Sequence, residues 1–383
     1  SGLLSLLIGG WTYRMPNVSY LEPGTDATGG FQFWSSTTGN VSSDSTFSKT
    51  GPRSIKLFNG NPSILAGVVA NGVLDDAGRR ITFWMYQTAT ATGTNTDLLR
   101  VQTAVAEVYR LDQQSDGKLS SRPIGATQVD GTTVITNNTW HRITVSYKIV
   151  STTSFRFDVY INGVLEHSAT AGTLTNTGGI NLRLAIGNGF PVDTTRWYDD
   201  VYVDDGNDYT DPGDIRVTAK RPAANNTNDF DTAVGANPTN RWTNVNEVPL
   251  SETNGWQEGI ISDVQENYTL EGSSVGDVDI TNKVLIGRTA WIWAKGTLGG
   301  LGTPKIMDNG TETAIILTNS GALFTVVSTS ASYPSNAAGI GMRSTNHADD
   351  TFLYECGTLI AYNPVASLIC QSPVTSFIPN LVR

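Results

Sequence analysis

Alternation of apolar and polar residues is the dominant pattern in this chain, and it predicts β-strands along most of its length. The clearest case is residues 155–161, where apolar side chains share one face and polar or aromatic side chains share the other. Asn162-Gly163 follows as a type I′ hairpin turn, and residues 164–168 are the predicted returning strand. No segment shows the period of an amphipathic helix, so the pattern predicts an all-β protein.

Other strands are predicted wherever short apolar runs lie between clusters of turn-forming residues. In the first half of the chain these are residues 31–34, 54–58, 80–86, 98–111, 140–147, 180–186 and 197–204. In the second half they are residues 284–294, 314–317, 323–327 and 351–362. Further hairpin turns are predicted at residues 115–118 and 308–310.

The length of the chain, 383 residues, exceeds that of a single sandwich. We therefore predict two tandem antiparallel β-sandwiches, at residues 20–210 and 211–362. Residues 1–19 are predicted to be an N-terminal attachment segment, and the proline-containing residues 363–383 an extended C-terminal arm. A charged fraction of only 16% and the presence of 39 glycines fit an all-β composition.

The strand at residues 197–204 carries an unusual aspartate pair. Strict alternation places the odd-numbered residues on one face and the even-numbered residues on the other, so Asp199 is expected on the apolar face with Val201 and Val203. A carboxylate there needs backbone N–H groups, a cation or a basic partner. The preferred interpretation is a structural hydrogen bond that closes a loop, and a calcium ion is the alternative.

Net charge and hydropathy argue against two classes of partner. The formal net charge is -10 and the isoelectric point is about 4.8, whereas binding to phosphate backbones needs a basic face, so nucleic acid is not expected. No run of about 18 apolar residues occurs, so no membrane span is expected. The apolar residues 3–8 lack a basic start and an Ala-x-Ala site, so we take them as part of the mature protein rather than a signal peptide.

The two cysteines, Cys356 and Cys370, are too few for a disulfide framework and have no metal-ligand spacing. They suggest assembly in a reducing compartment, and a single disulfide between them is left open. The three histidines, His141, His167 and His347, have no second ligand at a metal spacing and are interpreted as strand-surface residues.

Catalysis is not expected from the sequence. A glycan hydrolase needs two carboxylates that reach one cleft, and the Glu-x-Asp-x-x-Glu spacing is absent. Asp199 and Asp200 are adjacent, so they are expected to point to opposite faces. A Gly-x-Ser-x-Gly elbow is also absent. We therefore assign no catalytic residue, no cofactor-binding residue and no metal ligand, and we predict that the chain is not an enzyme.

Two compositional features leave a binding role open. Aspartates crowd residues 193–214, where Arg196 is the only basic residue, and a solvated turn is preferred over calcium there. Several strand aromatics cannot all point inward, and they suit sugar stacking or subunit contacts, although packing is preferred for most of them. These aromatics are Trp84, Tyr86, Tyr198, Tyr202, Trp291 and Trp293.

Three segments of the first half resemble the concanavalin A-like, or laminin-G-like, jelly-roll family. They are Trp-His-Arg-Ile-Thr-Val at residues 140–145, Phe-Asp-Val-Tyr-Ile-Asn-Gly-Val at residues 157–164 and Tyr-Asp-Asp-Val-Tyr-Val at residues 198–203. The resemblance covers about half of the chain and implies a jelly roll for the first sandwich. Members of the family include lectins, glycan hydrolases, adhesion modules and virion proteins, so the fold alone implies no single chemistry.

A second resemblance, over residues 140–265, is to structural proteins of tailed bacteriophages. It is carried by the closing strand at residues 198–206, by Gly-Asp-Ile-Arg-Val-Thr at residues 213–218 with Arg-Pro at 221–222, and by Trp-x-x-Val-x-Glu-x-Pro at residues 242–249. It implies a non-enzymatic protein on the virion exterior, assembled in the host cytoplasm, with capsid decoration favoured over a tail position.

The phage resemblance also implies partners. These are other virion proteins, either the major capsid protein or a tail protein, and further copies of the chain in a homo-oligomer. The alternative is a carbohydrate-binding adhesion module or lectin that recognises host surface glycans through a loop edge of the first sandwich, with or without calcium.

Overall fold

The structure is a computed structural model, and it describes the chain in segments separated by gaps. The described residues are 18–22, 34–38, 40–58, 63–71, 75–90, 92, 95–102, 106–175, 181–186, 194–204, 211–230, 232–234, 243, 255–258, 263–274, 278–281, 283–296, 304–317, 322–328, 339–345 and 351–366. Within these segments there is no α-helix, and nearly all regular structure is β-strand, which confirms the all-β prediction. None of these residues forms a helix long and apolar enough to cross a membrane.

The first sandwich is built from the strands of the N-terminal half. They are β1 (Val18–Glu22), β2 (Trp34–Thr38), β3 (Val41–Asp44), β4 (Ser54–Phe58), β5 (Ser63–Asn71), β6 (Asp75–Gln87), β7 (Asn95–Gln102), β8 (Glu107–Gln114), β9 (Lys118–Pro123), β10 (Val129–Val134), β11 (His141–Ser151), β12 (Ser154–Ile161), β13 (Val164–Ala169), β14 (Asn181–Ile186) and β15 (Thr195–Asp204).

The second sandwich is built from the remaining strands. They are β16 (Arg216–Lys220), β17 (Pro222–Asn228), β18 (Thr232–Val234), β19 (Gly255–Glu258), β20 (Asp263–Leu270), β21 (Lys283–Gly296), β22 (Lys305–Asp308), β23 (Thr311–Ala314), β24 (Ala322–Ser328), β25 (Ile340–Thr345) and β26 (Thr351–Ala366). Strand β26 thus runs into the segment predicted as a C-terminal arm. The rest of that arm, including Cys370, and most of the predicted attachment segment lie outside the described residues.

Each sandwich consists of two antiparallel sheets. In the first, an eight-stranded sheet in the order β13-β12-β11-β6-β15-β4-β3, with β1 also paired to β15, faces a seven-stranded sheet in the order β10-β9-β8-β7-β14-β5-β2. In the second, a six-stranded sheet in the order β18-β19-β26-β21-β24, with β16 paired to β26, faces a five-stranded sheet in the order β17-β20-β25-β22-β23. The fold is therefore two tandem β-sandwiches, of which the first is a concanavalin A-like jelly roll.

Turn chemistry fixes the hairpins where the sequence predicts them. Asn162 and Gly163 adopt φ angles of 52° and 90°, and Asn309 and Gly310 adopt 49° and 82°, which is the left-handed region that a type I′ turn requires. The second turn also corrects one prediction, because Asp308 pairs directly with Thr311. Strand β23 therefore lies at Thr311–Ala314, and the predicted strand at residues 314–317 is wrong.

Alternation along the strands builds a separate apolar core in each sandwich. In the first, residues of the β12 face predicted from the sequence pack against the opposite sheet, and Phe157 stacks on Tyr109 with ring centroids 4.3 Å apart. In the second, the core includes the buried Ile292 and Cys356, whose thiol lies 3.9 Å from the carbonyl oxygen of Ile340.

A third apolar cluster joins the two sandwiches. It packs the outer face of the eight-stranded sheet against β16, β21 and β26 of the second sandwich. Its members are Tyr202, Ile215, Val217, Ala219, Trp291, Leu359 and Ala361. Because these side chains are buried, the two sandwiches contact each other directly through an apolar interface.

Candidate functional site

A β-bulge in β15 determines where its aspartates lie. Asp200 has a φ angle of 52°, and the pairing of β15 with β6 shifts register between Asp199 and Tyr202. Val201 consequently faces the core of the first sandwich together with Tyr198. The predicted assignment of residues 197–204 to two strictly alternating faces is therefore wrong beyond residue 199.

Asp199 binds the backbone of the loop between β3 and β4. Its Oδ2 accepts hydrogen bonds from the backbone N–H groups of Lys49, at 2.7 Å, and Thr50, at 3.0 Å. Its Oδ1 accepts the N–H of Asp200 at 2.8 Å. The expectation that Asp199 closes a loop through backbone N–H groups is confirmed.

Asp200 connects the first sandwich to the second. Its Oδ2 accepts the hydroxyl of Thr50 at 2.7 Å, and its Oδ1 accepts the backbone N–H of Val217, in β16, at 2.7 Å. The guanidinium of Arg216 lies 3.6 Å from the same carboxylate. Because Asp199 and Asp200 both reach Thr50, the expectation that their carboxylates point apart is wrong, and the bulge is the reason.

Arg216 is fixed from several sides. It forms a bidentate pair with Asp214, with distances of 2.7 and 3.0 Å, and it lies over the ring of Trp84, 4.4 Å from the centroid. Lys49 lies over the same ring at 4.1 Å. We call the cluster of Lys49, Thr50, Trp84, Asp199, Asp200, Asp214, Arg216 and Val217 the joint.

Burial is the main cause of the raised pKa values of the two aspartates in the joint. It raises the pKa of Asp199 well above its usual range, and the neighbouring Asp200 carboxylate raises it further. Burial also raises the pKa of Asp200 to about 7, although Arg216 and the hydrogen bonds from Val217 and Thr50 act in the opposite direction. The two carboxylates therefore titrate as a pair that retains a proton near neutral pH.

The joint does not suit a calcium ion. The oxygens of Asp199 and Asp200 already accept hydrogen bonds from N–H and hydroxyl donors of the chain, and Arg216 brings a positive charge beside them. In the described part of the chain, no group of three or more His, Cys, Asp or Glu side chains is placed to hold a metal ion. Asp193 and the aspartates of residues 205–210 lie outside the described residues.

The aromatic residues singled out from the sequence are largely buried. Trp84, Tyr86, Tyr198, Tyr202 and Trp291 are at most 8% exposed, and Trp293 is half-buried. Tyr198 lies in the core of the first sandwich, and Tyr202 and Trp291 lie in the contact between the sandwiches, which sequence alternation alone does not reveal. Packing, the preferred interpretation, is therefore correct for these side chains.

Tyr86 is also the centre of an aromatic cluster at a loop edge of the first sandwich. Phe47 stacks on Tyr86 at 4.4 Å and meets Trp197 edge-on at 4.8 Å, and Trp140 lies 5.5 Å from Tyr86. Phe47 and Trp140 are partly exposed. The side chain of Asn138 accepts a hydrogen bond from the Tyr86 hydroxyl at 3.4 Å, which places an amide beside the rings.

The described histidines are buried, so their interpretation as surface residues is wrong. His141 is 7% exposed and hydrogen-bonds Thr136, and His167 is 9% exposed. The Nε2 of His167 lies 2.7 Å from the hydroxyl of Ser121, which lies 2.7 Å from the hydroxyl of Tyr109, so this chain of polar groups bridges the two sheets. Burial lowers the pKa of both histidines. His347 lies outside the described residues.

The sequence reasoning missed a second carboxyl pair, on the outer face of the seven-stranded sheet. Asp97 and Asp112 are directly opposite each other on β7 and β8. Burial, together with the hydrogen bond and the charge of the neighbouring Asp97 carboxyl, raises the pKa of Asp112 to about 7. The register shift between Asp97 and Leu99 explains the omission, because pairing across a bulge cannot be read from alternation.

No protein-family model matches the chain, and no curated protein matches it in sequence. Solved structures show partial similarity. An endo-β-1,4-glucuronan lyase from the fungus Trichoderma reesei is 16% identical with a TM-score of 0.38, over 47% of this chain and 93% of the lyase. Domain 4 of AbnA, a GH43 extracellular arabinanase from Geobacillus stearothermophilus, is 17% identical with a TM-score of 0.34, over 50% of this chain and 94% of that domain.

The receptor-binding domain of botulinum neurotoxin type G is 16% identical with a TM-score of 0.32, over 44% of this chain. The similarity spans only 42% of that neurotoxin domain. At these identities the similarities concern the β-sandwich fold alone.

Proposed function

We propose that this chain is a non-enzymatic structural protein on the exterior of a tailed-phage particle, with capsid decoration favoured over a tail position. The observation that carries the proposal is the joint. Asp199, Asp200, Asp214 and Arg216 belong to the same segments, residues 198–206 and 213–218, that resemble phage structural proteins. The resemblance therefore rests on residues that connect two sandwiches, which is an architectural role.

The chemistry of the joint supports a role without catalysis. The carboxylates of Asp199 and Asp200 are fully buried and bind donors of the chain itself, so they are not arranged to act on a substrate. Buried charges that require particular partners favour one arrangement of the elements they connect. A fixed arrangement of two sandwiches suits a protein displayed in repeated copies on a particle.

Mass spectrometry of purified particles of the phage that encodes this chain tests the proposal. We expect the polypeptide in a fixed number of copies per particle, and we expect intact particles to expose it to surface biotinylation. Its absence from purified particles, or protection of all its lysines until the particles are opened, would contradict an exterior structural role.

The proposed partners follow from the same assignment. They are other virion proteins, namely the major capsid protein or a tail protein, and further copies of this chain in a homo-oligomer. The protein would be assembled in the host cytoplasm and reside in the virion. Deletion of residues 1–10 should reduce the copy number on particles if this apolar segment attaches the protein, and an unchanged copy number would refute that attachment.

A carbohydrate-binding adhesion module is the second candidate function. The observation that favours it is the aromatic cluster at the loop edge, where the partly exposed Phe47 and Trp140 pack on Tyr86 and the Tyr86 hydroxyl donates to the amide oxygen of Asn138. Exposed rings with adjacent polar groups suit stacking against sugars.

A glycan array probed with the full chain, with and without chelator, tests this second candidate. Binding that is lost in Trp140→Ala would support it, and loss of that binding with chelator would add a calcium requirement. Absence of binding in both conditions would remove it.

A further inference from the structure

Two edge strands from different sheets close one side of the first sandwich. β10 is an edge strand of the seven-stranded sheet, and β13 is an edge strand of the eight-stranded sheet. β10 pairs with β9 at Val129, Asp130 and Val134, and its register shifts between the last two residues. Most residues of β10 are exposed. A strand with an irregular ladder and little burial depends on additional contacts to stay in place.

Glu166 of β13 supplies such contacts at the irregular part of β10. Its Oε1 accepts the backbone N–H groups of Thr132 and Thr133, the latter at 2.7 Å, and its Oε2 accepts the Thr133 hydroxyl at 2.6 Å. A Cβ added to Gly131 would lie 2.5 Å from the same Oε1, so the glycine leaves the space that the carboxylate occupies. Although burial acts in the opposite direction, these hydrogen bonds lower the pKa of Glu166, so the group that holds β10 is the ionised carboxylate.

His167, the next residue of β13, points into the sandwich. Its hydrogen bond to Ser121 of β9 involves Nε2, whereas Nδ1 is buried and has no hydrogen-bond partner in the described part of the chain. A protonated imidazole carries a hydrogen on both nitrogens. Protonation would therefore leave a charged N–H donor at Nδ1 without an acceptor, which is costly in a buried position.

Charged groups around His167 only partly compensate for this cost. Burial lowers the pKa of His167, and three carboxylates that face the ring act in the opposite direction: Glu166 on β13 itself, Asp130 on β10 and Asp158 on β12. The Tyr109 hydroxyl on β8 stays neutral, because burial raises its pKa. Stability that depends on a neutral His167 is present above pH 6.5 and is lost as the pH falls below that value. The contribution of the Glu166 carboxylate is lost only below pH 4.5.

We propose that Glu166 and His167 form an acid-sensitive latch, which holds β10 against the sandwich at neutral pH and releases it in acid. Release is local, because the pairing of β6 with β11 and β15 at the centre of the eight-stranded sheet involves none of these contacts. It uncovers the edge of β9 and the buried side chain of Ile135, whose N–H donates to the carbonyl of Gly117 just beyond β10. The latch lies wholly within the first sandwich, so it operates wherever the protein resides.

Hydrogen–deuterium exchange of the full chain at pH 7.5 and pH 5.5 tests the proposal. Protection factors, which correct for the intrinsic pH dependence of exchange, are compared for β10 and for β11. We expect the protection of β10 to fall by up to about tenfold at pH 5.5, because that pH lies about one unit below the pKa of 6.5 that the histidine has when it is exposed. The protection of β11 should not change.

Two variants separate the parts of the latch. His167→Gln should keep β10 protected at pH 5.5, because glutamine stays neutral beside Ser121. Glu166→Gln should lower the protection of β10 about tenfold already at pH 7.5, because an amide replaces the charged acceptor of the N–H groups of Thr132 and Thr133.

Each variant has a matched control. His141→Gln alters a second buried histidine, which contacts Thr136 beyond the end of β10, and it should keep the acid response of β10. Glu312→Gln alters a carboxylate of the second sandwich and should leave β10 unchanged.

Three results would overturn the proposal: β10 keeps its protection at pH 5.5, β11 loses protection as much as β10 does, or His167→Gln shows the full acid response. If His167→Gln does not fold in a thermal melt, the comparison of β10 with β11 in the original protein and the effect of Glu166→Gln at pH 7.5 decide.

Discussion

Replacement of Asp200 by asparagine removes one ionisable group from the joint and keeps a side chain of nearly the same shape. Asp200 is fully buried, and its carboxylate accepts hydrogen bonds from the N–H of Val217 and the hydroxyl of Thr50. Asparagine keeps an oxygen for the N–H of Val217 and offers its amide N–H to the hydroxyl oxygen of Thr50. The variant Asp200→Asn therefore removes the ionisation with little change in contacts.

The pKa of Asp200 sets the magnitude of the effect. Burial raises it from 3.8 to about 7, so between these values the folded protein holds a proton that the unfolded chain releases. The stability that this proton contributes is fully present below pH 3.8 and is lost as the pH rises through about 7. At about 1.36 kcal/mol per pH unit, the pH-dependent part of the free energy of unfolding is at most about 4 kcal/mol. Coupling to Asp199 spreads this loss over a wider pH range.

Urea unfolding at pH 5 and pH 8, followed by tryptophan fluorescence, measures this difference. Trp84 reports on the joint because Lys49 and Arg216 lie over its ring. We expect the original protein to lose stability between pH 5 and pH 8, and Asp200→Asn to lose less. The difference should be at most about 3 kcal/mol, because only the two pH units from 5 to about 7 fall within the range over which Asp200 titrates.

Asp229→Asn, which alters an exposed carboxylate of the second sandwich, is the control and should follow the original protein. The same pH dependence in Asp200→Asn as in the original protein would refute the assignment of a buried, proton-holding carboxylate at the joint.

Three further variants test other parts of the structure by urea unfolding. Arg216→Ala should lower the free energy of unfolding by about 3 kcal/mol or more, because it leaves buried carboxylates without their cation. The control Lys118→Ala, which removes an ion pair at the surface, should change it little. Equal effects of the two substitutions would contradict a buried joint. His167→Gln should reduce the loss of stability as the pH falls below about 6.5, because burial lowers the pKa of this histidine and glutamine stays neutral beside its serine partner. An unchanged loss of stability at acidic pH would contradict the buried hydrogen-bonded chain of His167, Ser121 and Tyr109. Gly341→Ala should cost about 3 kcal/mol because its Cβ would lie 2.0 Å from a backbone oxygen. Gly213 has a φ of 88° and no atom near its added Cβ, so Gly213→Ala should lower the free energy of unfolding by only about 1 kcal/mol. A larger loss in Gly213→Ala than in Gly341→Ala would contradict the packing around residue 341.

Local chemistry explains which parts of the fold are predictable from the sequence. Asn162-Gly163 and Asn309-Gly310 turn where predicted, because only residues that tolerate positive φ fit a type I′ turn. The strand at residues 54–58 coincides with β4 because alternation and flanking turn residues agree there. In each case neighbouring residues in the sequence hold all the information needed.

The features that were missed depend on contacts between distant residues. The bulge at Asp200 is stabilised by Thr50 and Val217, which belong to a loop and to the other sandwich. The opposition of Asp97 and Asp112 depends on a register shift between β7 and β8. Alternation along one strand contains neither piece of information, so the joint and the pair of Asp97 and Asp112 emerge only from the folded structure.

The proposed exterior role on a phage particle is tested most directly by cryo-electron microscopy of purified particles. We expect regular density outside the capsid shell, or else on the tail, into which both sandwiches fit as one connected unit held at the joint. Particles that contain the polypeptide only inside the shell, or that lack it altogether, would refute an exterior structural role.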